Sequence, residues 1–470
     1  MEKKISNNQI KKNLVISIFV QVISLIVNLL LNLILPKCID EFQYAYWQTY
    51  FLYVGYVGVM HFGLLDGIVL RYSQYDYDQL DKPRIRSQFQ LLLAINSLMT
   101  VIVMMISVLF ASGANKYIFI FVAIGIISKN IYTYSSYTFQ ITNRISKYAI
   151  LVISMRVFYG ILIIILLCCK VNDFRYYCIA DIISDLFGVV VASKFNKGLY
   201  FGKSLPIKEA LNEFKINIAS GVMLLISNWT ANLLVGNAKM IIQWHWDELV
   251  FGKVSFAFSV STFFLTFVNA ISIVLFPSIK RMNTDELPSM YMSIRNIISP
   301  LLISVMIFYF PGCWALGIWL PKYADSFVYL GILMPILFFS SKVTLLTNNY
   351  LKAYRKEKVM LLINVVSVFI AFLVYSICVC IIDSLLAVLF MTVVAVMLRS
   401  VASEIIVMNI IKIEMKKDFI IEMFMTFIFM ISSKFFNMYL GFAVYLVFLI
   451  IYYIIYRKNI MTFILKFRRR

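Results

Sequence analysis

Four cations stand inside long apolar runs: Lys129, Arg156, Lys342 and Arg399. Lysine offers an anion a point charge and arginine a planar fork, so cations sunk among apolar residues suit an anionic group such as phosphate. The alternative for each is a structural pair with an acid on a neighbouring segment, or a side chain that snorkels part of the way to water. Few deep acids are at hand: Asp181, Asp185 and Glu404. Glu404 is five residues from Arg399, off its helix face, and is a poor in-helix partner. Asp181 and Asp185 are four apart and share a helix face. They either bind a coupling cation, H+ or Na+, or bridge to the basic set.

Uncharged polar residues fall in stripes. Ser17, Gln21, Ser24, Asn28 and Asn32 share one face, as do Asn217, Asn228 and Asn232. Stripes of this kind either glue helices together or line a wet cavity; Gln21, Asn28, Asn228 and Asn232 are the candidate cavity lining. Tyr46, Tyr50 and Tyr53 form an aromatic stripe, suited to an interfacial belt or to stacking on a sugar. Only His61 and His245 are present, and the seven cysteines are odd in number with no repeated spacing. Neither a metal centre nor a disulfide framework is expected. No catalytic constellation and no resident cofactor are expected either.

The elements that carry these residues follow from composition. The chain has 470 residues, 62% hydrophobic and 14% charged, with a mean hydropathy of +0.87. Soluble domains run at about 45–50% apolar and about 25% charged. Too little polar surface remains to coat a globule, which excludes a soluble enzyme or a soluble nucleic-acid binder. Apolar runs of spanning length lie at 14–35, 46–68, 88–111, 117–139, 148–169, 176–193, 216–235, 251–276, 297–319, 326–347, 359–381, 385–410, 419–435 and 439–456. They are continuous, without the alternation of a barrel strand. The expectation is an all-α polytopic membrane protein of about fourteen transmembrane helices. The first run follows Lys3, Lys4, Lys11 and Lys12 and is expected to remain as a helix rather than be cleaved as a leader.

Basic residues set the orientation. Of 43 Lys and Arg, 31 fall in alternate loops and both terminal segments, 8 in the opposite loops or at the span ends that border them, and 4 deep within spans. The net charge of +20 therefore orients helices and does not point to nucleic acid. The positive-inside rule puts both termini in the cytoplasm. No loop exceeds 22 residues, which disfavours a membrane glycosyl- or acyltransferase with an extramembrane site.

An internal repeat is visible. The first and seventh runs align at an offset of 204, with Asn28 on Asn232 and Leu29-Leu30 on Leu233-Leu234. The fourth and tenth align at 213, with Ser128-Lys129 on Ser341-Lys342 and Tyr137 on Tyr350. Six helices per half is an even number, so the halves are parallel repeats. The expected organisation is two six-helix bundles, 1–205 and 206–412, plus two further helices and a basic tail, 413–470. The repeat would turn both lysines towards one central cleft.

Three short motifs carry a family resemblance. Gly63-Leu-Leu-Asp66-Gly67-Ile-Val-Leu-Arg71-Tyr72, Phe276-Pro277-Ser278 and Asn349-Tyr-Leu-Lys352-Ala-Tyr-Arg-Lys356-Glu-Lys358 resemble the pattern of polysaccharide repeat-unit flippases (Wzx type). That family is similar to the wider multidrug/oligosaccharidyl-lipid/polysaccharide exporter group, which includes lipid II flippases. The resemblance implies alternating access and no enzymatic step. It implies an undecaprenyl-pyrophosphate-linked oligosaccharide as cargo, for O-antigen or capsule, in the bacterial inner membrane. Membrane lipids, a polysaccharide polymerase and a chain-length regulator would be its partners. Asp66, Gly67, Arg71 and Pro277 belong to the motifs and would form a cytoplasmic gate. Charge and depth, not the resemblance, assign the pyrophosphate to Lys129, Arg156, Lys342 and Arg399. The competing function is a cation-coupled multidrug exporter of the same fold.

Overall fold

The computed structural model describes residues 7–468 apart from 74, 264, 267, 270, 273–274, 276–278, 280–284 and 414–415. Among the described residues it is helical throughout, with no strand. The chain is an all-α polytopic membrane protein. The helices used below are α1 (Asn7–Leu29), α2 (Glu41–Val54), α3 (Leu64–Tyr72), α4 (Lys82–Phe110), α5 (Gly113–Ile141), α6 (Ile145–Cys168), α7 (Phe174–Phe195), α8 (Ile207–His245) and α9 (Glu248–Thr262). They continue as α10 (Leu287–Val305), α11 (Tyr309–Trp319), α12 (Ser326–Leu333), α13 (Pro335–Lys342), α14 (Glu357–Ile377), α15 (Leu385–Ile411), α16 (Lys416–Phe435) and α17 (Met438–Arg468).

Among the described residues ten helical stretches are long and apolar enough to cross a membrane, or eleven when the bent pair α2–α3 is taken as one span. Helices α7 and α16 occupy two further expected runs, and α9 occupies the first part of 251–276. Short side chains at the turns hold the helix starts. Asp40, Asp81, Asp173, Asp247 and Ser384 each accept a backbone N–H from the first turn that follows. This satisfies donors that have no partner within the helix.

The chain divides into two compact units, Met1–Ala231 and Asn232–Arg470, and the division falls inside α8. In the first unit the most enclosed span is α5, with 56% of its apolar window buried. In the second it is Ser326–Ala353, with 89%. These are the fourth and tenth runs, the pair that carries the aligned Ser-Lys steps. The α-helical ladder of the second span is interrupted by π-helical turns at Val343–Thr347, directly after Lys342.

The expected continuous helix over 46–68 is instead broken and bent by 57°. A 3-10 segment, Val57–His61, leads into Phe62 and Gly63, both in the left-handed region at φ 53° and 85°. Glycine takes that conformation without the Cβ clash that penalises other residues. Gly63 is also pressed against α8: an added Cβ would lie 2.7 Å from the backbone nitrogen of Val222. One turn on, a Cβ on Gly67 would strike the backbone carbonyl of Asn217, and one on Gly221 would strike Gly63 and Gly67. Gly63 just before α3, Gly67 within it and Gly221 on α8 thus let two backbones touch, as small residues do in membrane helix pairs. Gly67→Ala should lower thermal stability in detergent by about 1–3 kcal/mol, the range for overpacking. Gly58→Ala, where nothing lies within 4 Å of the added Cβ, should be neutral. Equal melting of the two variants would remove the seam argument.

Candidate functional site

Each unit holds one buried charge cluster built around an aligned lysine. In the first, α5 supplies Ser128 and Lys129, and α7 supplies Asp181 and Asp185. The Lys129 ammonium lies 2.8 Å from a carboxylate oxygen of each aspartate. Tyr50 on α2 donates its hydroxyl to Asp181 at 2.9 Å, and Ser128 donates to Asp185 at 3.3 Å. Both aspartates are buried, while a quarter of the Lys129 side chain remains exposed. One ammonium against two carboxylates leaves a surplus acid in a poorly solvated place. Of the two roles open to these aspartates in the sequence, bridging to the basic set is the one seen.

The second cluster is larger. Lys342, at the end of α13, lies 2.5 Å from Glu404 of α15 and 2.5 Å from Glu422 of α16. Arg295 of α10 spreads its fork over three acids: Glu404 at 2.6 Å, Glu422 at 2.9 Å and Asp418 at 3.2 Å. Tyr291 donates to Glu404 at 3.0 Å, and Tyr456 of α17 donates to Asp418. Arg295 and Lys342 are each only 1% exposed, so their charge is matched within the protein, not by water. Two cations meet three carboxylates, again with one acid over. Five helices converge here, including both of those that follow the second six-helix half.

The clusters reproduce the repeat in chemistry. The fourth-run lysine meets acids of the sixth run, and the tenth-run lysine meets an acid of the twelfth. Both lysines are therefore held between carboxylates, as in the structural-pair alternative. Arg156 and Arg399 belong to neither cluster. Arg156 is half-buried on α6, and Arg399 is buried on α15. Glu404 pairs with Arg295 and Lys342.

The remaining candidates sit as follows. Gln21 and Asn28 are half-buried on α1; Asn32 donates to the Asn28 carbonyl at 2.8 Å, and Ser24 to that of Val20 at 2.9 Å. Much of that stripe thus bonds its own helix. Asn228 and Asn232 are exposed along α8. Asp66 is buried, 3.8 Å from His61. Arg71 turns instead to α8, where it pairs with Glu213 and donates to Asn217 at 2.6 Å. Tyr72 donates to the same glutamate at 2.5 Å. Pro277 lies outside the described residues. In the third motif Asn349 donates to Ser272 at 3.0 Å, and Tyr350 to the Leu287 carbonyl at 3.1 Å.

Sequence reasoning missed Arg295, Glu422, Asp418 and Glu213. Arg295 precedes the apolar run 297–319 in the sequence, but it lies more than two turns inside α10. The signal was present: Pro288 sits at the start of that helix, where proline is favoured. Lys239 was likewise placed in a loop and lies inside α8.

No family model matches the chain, and no curated protein matches its sequence. Solved structures do match. An inward-facing multidrug resistance MATE family transporter of the MOP superfamily aligns with a TM-score of 0.64 at 11% identity, over 85% of this chain and 98% of its own. The lipid II flippase MurJ, in an inward closed conformation, aligns with a TM-score of 0.64 at 12% identity, over 95% and 99%. An outward-facing MATE family transporter aligns with a TM-score of 0.53 at 12% identity, over 86% and 96%. The chain has the fold of these MOP superfamily transporters.

Removing Arg295 would leave two buried carboxylates, Glu404 and Glu422, and the half-buried Asp418 with a single lysine. Arg295→Met is expected to destabilise by about 3–5 kcal/mol, as for one half of a buried pair. Likewise Lys129→Met should destabilise, and adding Asp181→Asn and Asp185→Asn should recover much of the loss. Melting curves in detergent test both; a neutral Arg295→Met would show that the cluster contributes nothing to folding.

Proposed function

We propose that this chain is a flippase for lipid-linked oligosaccharides. It moves undecaprenyl-pyrophosphate-linked repeat units from the cytoplasmic to the outer leaflet of the bacterial inner membrane, by alternating access. The product is a surface polysaccharide such as O-antigen or capsule. Both termini are cytoplasmic in this reading, which the distribution of basic loops supports.

The observation that carries this reading is the extent of the structural match. The lipid II flippase covers 95% of the chain, while the multidrug transporters cover 85–86%. The difference is close to the length of the last two helices. Those helices are also tied into the second unit by buried charge, through Asp418, Glu422 and Tyr456. The three sequence motifs add support from a different direction.

In this reading Arg156 and Arg399 offer forks to the pyrophosphate. Lys129 and Lys342 become available to an anion only when a neighbouring carboxylate takes up H+ or Na+ and releases the ammonium. Cargo and coupling ion are thereby linked, and Asp181 and Asp185 serve as the ion-binding acids of the first unit. Asp66, Gly67, Arg71 and Pro277 remain the gate, with Arg71 latched on Glu213.

A cation-coupled multidrug exporter is the second reading. It is favoured by the surplus carboxylate in each cluster and by the equal TM-score to a multidrug transporter. Expression in a strain lacking its own repeat-unit flippase separates the two. The flippase reading expects restored surface polymer and unchanged drug susceptibility; the exporter reading expects the reverse. Arg156→Ala and Arg399→Ala should each reduce polymer export at least tenfold, as expected for loss of about 1.5–3 kcal/mol in a charged hydrogen bond. Full export at normal protein levels in both would remove the arginine assignment.

A further inference from the structure

A transporter built of two repeats works by moving one against the other, so the segment that joins them is the natural place for a hinge. Here that segment is 196–206, between α7 and α8. It holds a single helical turn, Lys197–Tyr200, and no regular structure from there to α8. Its backbone carbonyls therefore need partners from elsewhere. Helices of the first unit supply them.

Arg86, buried on α4, spreads its fork over the carbonyls of Gly198, at 2.5 Å, and Lys203. A withdrawn arginine is ordinarily matched by a carboxylate. Among the described residues this one pairs with no acid, and the linker backbone takes that place. Gly202 leaves room for the guanidinium. It sits at φ 128°, a conformation that favours glycine, and an added Cβ would lie 2.6 Å from Nη1 of Arg86.

Around the fork the two sides interlock. Tyr134 of α5 donates to the Leu199 carbonyl at 3.2 Å, Tyr200 donates back to Ser135 at 2.7 Å, and Asn196 donates to Thr138 at 2.9 Å. Leu199 is fully buried, and the Tyr200 ring stands edge-on to Phe89 and Tyr134, with centroids 5.0 Å and 5.6 Å away. Gln88 carries the attachment into α8 by donating to the Ala210 carbonyl at 3.1 Å. The division between the two compact units falls well past the linker, inside α8.

We propose that the connection between the repeats is a clamp and not a hinge: 196–206 stay fixed on the first unit throughout transport, and Arg86 is the positioning residue that holds them. The proposal rests on the alternating-access reading above and adds a residue which that reading did not use. Motion between the repeats is then absorbed outside the linker.

Amide hydrogen exchange of the full chain in nanodiscs reads the clamp without reference to cargo. In the wild type, peptides covering 197–204 are expected to exchange as slowly as those of the helices beside them. Arg86→Met should speed exchange there about tenfold or more, the scale of one charged hydrogen bond, and Arg86→Lys should do so by less. Lys203→Met removes an exposed side chain and leaves the carbonyl, so exchange should not change. A second arm locks the linker. The Lys82 stem lies 3.3 Å from where a Cβ on Gly198 would stand. Lys82→Cys and Gly198→Cys, in a chain whose native cysteines are replaced by alanine, can therefore be joined by a short thiol cross-linker. Surface polymer export should be the same with and without the cross-link; this arm needs no Arg86 variant to fold. Fast exchange of the wild-type linker, or export that stops only on cross-linking, would overturn the clamp. If the chain exports no polymer in either form, the flippase reading falls, while the exchange arm still decides whether Arg86 holds the linker.

Discussion

A charge cannot remain alone in the hydrocarbon core, and much of this structure follows from how the chain meets that constraint. Lys129 and Lys342 are each fixed between two carboxylates, and Arg295 joins three. A fork as broad as that of Arg295 fixes where three helices stand relative to one another. Apolar packing in lipid lacks the strong hydrophobic drive that gathers helices in water. Directional charge contacts therefore carry more of the specificity. Each cluster also keeps one acid more than it has cations.

The seam between α3 and α8 solves a different problem. The second span has to turn sharply, and its broken backbone exposes groups that lipid would not solvate. Gly63 provides the left-handed turn, and Gly67 with Gly221 allows the neighbouring backbone close enough to cover it. Arg71 and Tyr72 then fasten the end of α3 to Glu213. The motif that drew attention as a family mark thus has a local physical role: it makes a bent span compatible with tight packing.

Much of this was legible in the sequence, for identifiable reasons. Continuous apolar runs mark helices because a span must satisfy its own backbone. The Ser-Lys steps stood out because charge in such runs is rare. What could not be read was pairing at long range. Glu422 follows Lys342 by 80 residues, and nothing local links them. Arg295 was assigned to a loop because the continuous apolar run begins only after it, at 297. The bend at Phe62–Gly63 was hidden because glycine is common in membrane helices, so its presence alone does not signal a break.

The order of residues in the second cluster has a consequence for synthesis. Arg295 and Lys342 leave the ribosome well before Glu404, and Glu404 before Asp418 and Glu422. Folding proceeds from the N-terminus as the chain emerges. For that interval the two cations have fewer acids than they need, and none from α16. The nearly complete bundle must either delay the burial of these side chains or keep them hydrated. Arrival of α16 then closes the cluster. The penultimate helix therefore acts as a completion step in biogenesis: its two carboxylates convert a half-neutralised bundle into one that lipid can surround.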